Sequence, residues 1–342
     1  MFTRPYRPRL ELELCQGLPR EMIDKISEIP VLVLGYSRTE SIEQIVMKLR
    51  EFGVNRIFLS LDFAEDSNVR KKQVALISKL REQIPNESNL QIWHRTRNHG
   101  VAAGIISGLD WFFSHCARGV IIEDDLKFNR DFLEFCAVEL GANQFNKDVL
   151  LISGNRFNTR SNNHLATLSN YPQIWGWASW SEKWLEMRKL ILMPKRFKLS
   201  NHLLPKFAFF FAGARRVQLG YLDTWDLPLA YEMIHKKKYC LLPPVNLVSN
   251  LGFDAHAVHT RKAEFPLDFP LATLPSNYQS EFRELMNGVD TINHYLEKKI
   301  FKIKFRHILS PLKLSLAVSP VLERSNKMQP LEVRVRDSER YE

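Results

Sequence analysis

The strongest constraint on this chain is an alternation of short apolar runs with helical stripes over its first third. Residues 29–36 (IPVLVLGY) form a short, continuous apolar run, and 56–62 (RIFLSLD), 90–94 (LQIWH) and 119–122 (GVII) read as three further short strands. Runs of this kind mark strands covered on both faces, as in parallel sheets. Between them, Ile42, Ile45, Val46 and Leu49, then Val74, Ile77 and Leu80, then residues 101–116 recur at helical spacing. Thr39 is the expected N-cap of the first of these helices. The result is a β-α-β-α-β-α-β pattern, which predicts a doubly wound, mostly parallel α/β sheet. Ligands of such sheets bind beyond the carboxyl ends of the strands.

That rule directs attention to the polar residues after each run: Ser37 and Arg38, Asp62, then 95–99, and finally Glu123-Asp124-Asp125. Three acids directly after an apolar strand are costly unless they bind something. Hard oxygen ligands at a strand edge suit Mn²⁺ or Mg²⁺ shared with substrate phosphates. The bland alternative is a solvated turn leading into a helix near 128–139. Arg97, Asn98 and His99 precede a helix N-terminus, whose free N–H groups suit an anion. His94, inside a strand, is expected to be structural. Asp223 and Asp226 flank Thr224-Trp225 and are carboxylates able to accept a proton. Asp226 also suits a helix start, with Pro228 in the first turn. Trp175 and Trp177 offer flat apolar rings that suit a sugar face, although Trp equally fills cores. Trp180 and Trp184, four apart, are expected to pack along a helix.

The formal charge of +10 favours anionic partners: a pyrophosphate, a nucleic acid or an acidic membrane face. Against nucleic acid, the acid triplet repels phosphate and no recognised nucleic-acid module is present. Against a dinucleotide-dependent dehydrogenase, the first strand runs into Gly35-Tyr36-Ser37-Arg38 and not a G-x-G-x-x-G loop. Four cysteines form no C-x-x-C pair, and Cys116 and Cys136 sit in apolar helical patterns, so they read as buried thiols of a reducing compartment. The first residues lack the apolar core of a signal peptide, and no run approaches the roughly 18–20 apolar residues of a membrane span. The expected location is cytoplasmic. Basic and apolar residues near 300–316 suit peripheral contact with an anionic membrane face, or an ordinary amphipathic helix closing the domain.

The run from Gly119 through Glu123-Asp124-Asp125-Leu126-Lys127-Phe128-Asn129-Arg130-Asp131 resembles the metal-binding segment of GT-A glycosyltransferases. More narrowly, it resembles the N-acetylglucosaminyltransferase I-like group and its bacterial sugar-transferase relatives. Four other segments fit in order: Asn98-His99-Gly100 with Asp110-Trp111-Phe112-Phe113, Ile152-Ser153-Gly154-Asn155, Trp175-Gly176-Trp177-Ala178-Ser179-Trp180, and 246–253 with His259-Thr260. The resemblance covers roughly 30–260 and implies a GT-A-like fold for nucleotide-diphospho-sugar transfer.

It also implies roles. Asp125 would ligate Mn²⁺ or Mg²⁺, with Glu123 and Asp124 supporting the ion and the donor. Arg38 and Asp62 would contact the nucleotide, UDP being the donor base the resemblance favours, and Arg97, Asn98 and His99 would line the donor side. Asp226, beside Trp225, would be the base of an inverting transfer, with Asp223 in reserve. His259 would approach the metal or pyrophosphate, and Trp175 and Trp177 would meet the acceptor. The stretch after Phe253 is shorter here than in those relatives. The expected organisation is an N-terminal extension (1–28), a catalytic domain (29–275) with a nucleotide-sugar half (29–125) and an acceptor half (126–275), and a basic helical C-terminal region and tail (276–342). The expected acceptor is a glycan or lipid-linked hydroxyl in surface polysaccharide or lipopolysaccharide synthesis. A non-catalytic nucleotide-sugar binder is the remaining alternative.

Overall fold

In the computed structural model, which describes residues 26–157, 164–193, 204–251, 269–278, 280, 285–286, 288–304 and 307, the four apolar runs are strands. They are β1 (Val31–Gly35), β2 (Ile57–Leu61), β3 (Leu90–His94) and β4 (Arg118–Glu123), linked by helices α1 (Thr39–Glu51), α2 (Ser67–Gln83) and α3 (Gly100–His115). All three pairings among them are parallel: β1 with β2, β2 with β3, and β1 with β4. Successive side chains on a strand face opposite ways. Val31 and Val33 accordingly join one apolar cluster with α1 and α2, while Leu32 and Leu34 join another with α3. Both faces of β1, β2 and β4 are covered, which is why their centres are apolar, whereas β3 stands at the sheet edge and is mostly half-buried.

Two helix details depart from expectation. Thr39 is the first helical residue of α1; Arg38 occupies the cap position and makes no side-chain cap bond. In α2 the buried stripe is Gln73, Leu76, Ile77 and Leu80, and Val74 is 54% exposed. Gln73 turns inward because the strand ends need donors. Its Nε2 donates to Tyr36 O (2.7 Å) and Asp62 O (2.8 Å).

After β4 come β5 (Leu126–Phe128), α4 (Arg130–Ala142), β6 (Val149–Ser153), β7 (Thr167–Ser169) and β8 (Trp177–Trp180). Then follow α5 (Ser181–Leu192), α6 (Pro205–Gln218), α7 (Asp226–Lys236), β9 (Tyr239–Leu242), β10 (Val248–Asn250) and α8 (Val289–Tyr295). The central sheet has eight strands in the order β3-β2-β1-β4-β8-β6-β9-β7, and β10 pairs with β5 in a separate two-stranded sheet. Strand β8 is antiparallel to both β4 and β6, β7 is antiparallel to β9, and β6 and β9 are parallel. The fold is therefore mixed α/β around one large, mostly parallel sheet. The chain runs outward from β1 to β3 and then returns to place β4 on the other side of β1. The carboxyl ends of β1 and β4 thus bound the switch point where such sheets bind ligands.

Glycine is needed where α3 crosses β4: a Cβ on Gly119 would lie 2.6 Å from Pro30 O and also collide with the Phe112 ring. Cys116 and Cys136 are buried free thiols, as expected. Trp180 ends β8 and Trp184 lies on α5, so the pair spans a strand–helix junction and not a single helix. At the C-terminal side, Leu296 and Ile300 are buried, and the Phe301 ring packs on Tyr171 (5.2 Å) and Phe210 (5.0 Å). Lys298, Lys299, Lys302 and Lys304 are exposed. The apolar members of this segment close the core while its lysines face outward. Among the described residues, no helix is long and apolar enough to cross a membrane.

Candidate active site

The acid triplet stands at the switch point. Glu123 ends β4, and the next two residues form the turn into β5. Asp124 is bound to the end of β1: Tyr36 N–H donates to its Oδ2 (2.9 Å), and Arg38 Nη1 lies 3.4 Å from its Oδ1. Ser41 Oγ donates to Asp124 O (2.6 Å). Arg38 Nη1 also lies 3.9 Å from Asp125 Oδ2. From the other side, Leu251 N–H donates to Asp125 O (2.8 Å), because β10 pairs with β5 and brings Asn250 opposite Leu126. Asp125 is thus held by both halves of the chain, yet its buried Oδ1 has no hydrogen-bond partner.

A fourth carboxylate joins the three. Asp226 opens α7 and accepts a hydrogen bond from Thr224 Oγ1. It lies close enough to Glu123 to repel its charge. Burial first, then Asp125, Asp124 and Asp226, push the Glu123 carboxyl well above the usual carboxylate range. Burial, then Asp124, push Asp125 up to about 6, against the pull of Arg38 and a hydrogen bond from Asn250. Burial raises Asp124 against Tyr36 N–H and Arg38. Crowded, dehydrated carboxylates of this kind gain most from a cation. Among the described residues no three His, Cys, Asp or Glu side chains converge as a ready ligand set. The fit is to an ion held by one or two carboxylates and completed by phosphate and water oxygens, the usual habit of Mg²⁺. The orphaned Asp125 Oδ1 would be such a ligand.

The expected donor-side residues are arranged differently. Asp62 is buried at the end of β2 and raised by burial, against Arg95. Both its oxygens accept from His99 N–H (3.2 Å each), and Oδ1 also accepts from Phe63 N–H (3.0 Å). Asn98 Nδ2 donates to Phe63 O (3.0 Å), and Gly100 N–H returns to Asn98 Oδ1 (2.8 Å). The next two N–H groups, expected to await an anion of the donor, meet a carboxylate of this chain instead. Val101 N–H donates to Asp223 Oδ2 (2.8 Å) and Ala102 N–H to Asp223 Oδ1 (3.1 Å). So the α3 N-terminus is already capped, and both Asp223 oxygens are engaged. His99 accepts from Arg97 Nε (3.3 Å), and burial, Arg95 and Arg97 push it down to about 4, leaving it neutral at pH 7. His94 meets Gln73 Oε1 (3.2 Å), the structural role expected of it.

On the acceptor side the two tryptophans separate. Trp177 is 1% exposed and packs at a tilt against Trp225 (5.7 Å), so it has no face to offer a sugar; strand β8, unforeseen in the sequence, carries it into the core. Trp175 is half-buried, edge-on to Phe157 (4.9 Å), with its N–H donating to Asn155 Oδ1 (3.3 Å). His259 lies outside the described residues. Tyr36, Ser41 and Asn250 border the acids and were not singled out in the sequence. Tyr36 acts through its backbone N–H, which carries no sequence signal, and Asn250 lay inside a matched segment without an assigned role.

No protein-family model matches this chain, and no curated protein matches it. Solved structures with some likeness include GalNAc-T7 with UDP, GalNAc and Mn²⁺ (7% identity, 65% of this chain and 43% of that one, TM-score 0.38). Another is the mannosyltransferase PcManGT from Pyrobaculum calidifontis in complex with GDP-Man and Mn²⁺ (14% identity, 61% and 74%, TM-score 0.34). HddC from Yersinia pseudotuberculosis is similar over 41% of this chain at 16% identity and a TM-score of 0.26, and this chain spans 59% of its length.

Proposed function

We propose that this chain is a GT-A-like glycosyltransferase of the N-acetylglucosaminyltransferase I-like kind, moving a sugar from a nucleoside-diphosphate donor, UDP-linked, to an acceptor hydroxyl with inversion. The observation that carries the reading is the four-carboxylate cluster Glu123, Asp124, Asp125 and Asp226 at the switch point, with a buried Asp125 oxygen lacking a partner. Asp125 would hold Mn²⁺ or Mg²⁺ together with the donor phosphates, and Glu123 would support that charge. Bound there, the ion supplies positive charge to the leaving diphosphate. Arg38, already beside Asp124, provides a fixed cation at the same edge. Asp226 faces the cluster from α7 and takes the acceptor hydroxyl proton. The acceptor oxygen then bonds the anomeric carbon from one side as the carbon–diphosphate bond breaks on the other, its electron pair leaving with the diphosphate. Trp175, half-buried, remains the acceptor-side aromatic. The outward lysines near 298–304 suit contact with an anionic membrane that presents a lipid-linked acceptor, which fits a site of action at the cytoplasmic membrane face.

Thermal unfolding with UDP, GDP and CMP, each with and without Mn²⁺, tests this reading. A ligand bound only by the folded state raises the melting temperature by mass action. The expected result is a Mn²⁺-dependent shift with UDP that disappears in Asp125→Asn. The same substitution removes a repelled charge and should leave the ligand-free protein at least as stable as wild type. An equal UDP shift in Asp125→Asn would remove Asp125 from the metal site. No Mn²⁺-dependent shift with any of the three nucleotides would reject the transferase reading.

A further inference from the structure

We propose that Asp223 is a positioning residue, a strut that fixes the 222–226 turn and its candidate base Asp226 to the donor half of the molecule; this rests on the transferase reading for its catalytic consequence. The α3 N-terminus leaves unpaired N–H groups, and an anion there is favoured by both hydrogen bonding and the helix dipole. Asp223 supplies that anion from 122 and 121 positions away in the chain, with oxygens 2.8 Å from Val101 N and 3.1 Å from Ala102 N. The approach is so close that only glycine fits beneath it. Gly100 has φ +74°, and a Cβ there would stand 2.7 Å from Asp223 Oδ2. The other end of the strut is equally anchored, since Asp62 holds His99 N–H and Asn98 holds Phe63 O at the end of β2. The turn is fixed a second time by Trp225, 2% exposed and packed on Trp177 (5.7 Å) and Trp184 (6.4 Å). One residue later, Asp226 opens α7 near enough to Glu123 for the two charges to repel. The chain therefore determines where Asp226 stands relative to the end of β4 through a cap on α3, a helix that contributes no other group to the proposed chemistry.

The test uses the full chain and four variants: Asp223→Ala, Asp223→Asn, Gly100→Ala, and the Asp223→Ala and Gly100→Ala pair. Amide hydrogen exchange is read at 100–102 and at 222–226, alongside Mn²⁺·UDP affinity and diphosphate release from UDP-sugars. In Asp223→Ala, exchange should speed up in both segments together. Mn²⁺·UDP affinity should stay within about twofold, while kcat falls roughly 10- to 100-fold, the cost of about 1 Å of misplacement. Asp223→Asn keeps one acceptor oxygen and should fall between. Gly100→Ala should lower kcat in the wild-type background and add little further loss to Asp223→Ala. Faster exchange at 100–102 with 222–226 unchanged would overturn the strut. So would full kcat per folded molecule in Asp223→Ala. If wild type shows neither nucleotide binding nor turnover, the transferase reading fails, and the paired exchange result still decides the strut by itself.

Discussion

The two halves of the sheet use their polar residues in opposite ways. In the β1–β4 half, strand cores are mostly apolar and most of the polar side chains near the site gather at the carboxyl ends, where Asp124 binds the end of β1. In the β6–β10 half, polar side chains are drawn inside as fasteners. Asn246 accepts from Arg156 N–H (2.9 Å) and donates to Val248 O and Phe269 O (2.9 Å each). Asn155 bonds Gln173 Oε1 (3.1 Å), and Arg156 Nη1 donates to Pro243 O (2.8 Å). The difference follows from connectivity. Consecutive parallel strands joined by helices satisfy one another's backbone groups, whereas a half built from short, out-of-order strands leaves loop carbonyls and N–H groups that side chains must pair. Polar residues near the site therefore carry different meanings: at β4 they are available for chemistry, and beyond β6 most are architecture.

Three substitutions sharpen that contrast. The largest effect is expected for Asp226→Asn, the acceptor-half residue assigned to chemistry and not to fastening. Turnover should fall by roughly 10²- to 10⁴-fold, as loss of a general base does, with Mn²⁺·UDP binding and the melting temperature near wild type. Full turnover in steady-state assays would place the base elsewhere. Next is Asn246→Ala, which orphans Arg156 N–H and two carbonyls in a buried setting. Chemical denaturation should show a loss of about 2–4 kcal/mol, since each unpaired buried group costs about 1–3 kcal/mol and some are rehydrated. A change under about 0.5 kcal/mol would show that this network does not hold the acceptor half together.

The last substitution, with an effect seen only at higher pH and near neutral below it, separates two kinds of raised carboxylate. Burial pushes Glu139, fully buried on α4 and accepting from Asn143 Nδ2 (2.8 Å), up to about 7. Unlike Asp125, it has no acid neighbour among the causes of its shift. Its folded pKa lies above its ordinary value of 4.5, so the folded state binds more protons between about pH 4.5 and 7. Stability from this group is present below pH 4.5 and is lost as pH rises through 7, in total about 3 kcal/mol. Glu139→Gln should abolish that slope and leave the variant more stable than wild type at pH 8 by up to that amount. Parallel denaturation curves at pH 5 and pH 8 for the two proteins check it; identical slopes would mean that Glu139 is ionised in the fold.

Much of the first half was legible because periodicity and burial coincide there. The four runs are the four strands, and Ile42, Ile45, Val46 and Leu49 are the buried face of α1. The failures share a cause. Val74 looked like core because it is apolar, but Gln73 was drawn inward by the carbonyls of Tyr36 and Asp62, partners 37 and 11 residues away. The α3 N-terminus looked like an open anion site because its occupant, Asp223, comes from over a hundred residues further on. Trp177 looked like a sugar platform until β8 inserted between β4 and β6 and carried it into the core.

What the amino-acid sequence determined by itself is the local grammar of the first half: which segments there are strands and helices, that β1 is covered on both faces, and that three acids end the fourth strand. Those features depend on side-chain periodicity and on immediate neighbours, so they are readable in order along the chain. Only the tertiary structure decided that Asp226 joins the acids while Asp223, three residues earlier, caps a distant helix. Both are carboxylates in the same short turn, and nothing local distinguishes them. Their roles diverge because hydrogen-bond partners and electrostatic neighbours are assigned by what the fold brings close in space, and that closeness has no counterpart in sequence.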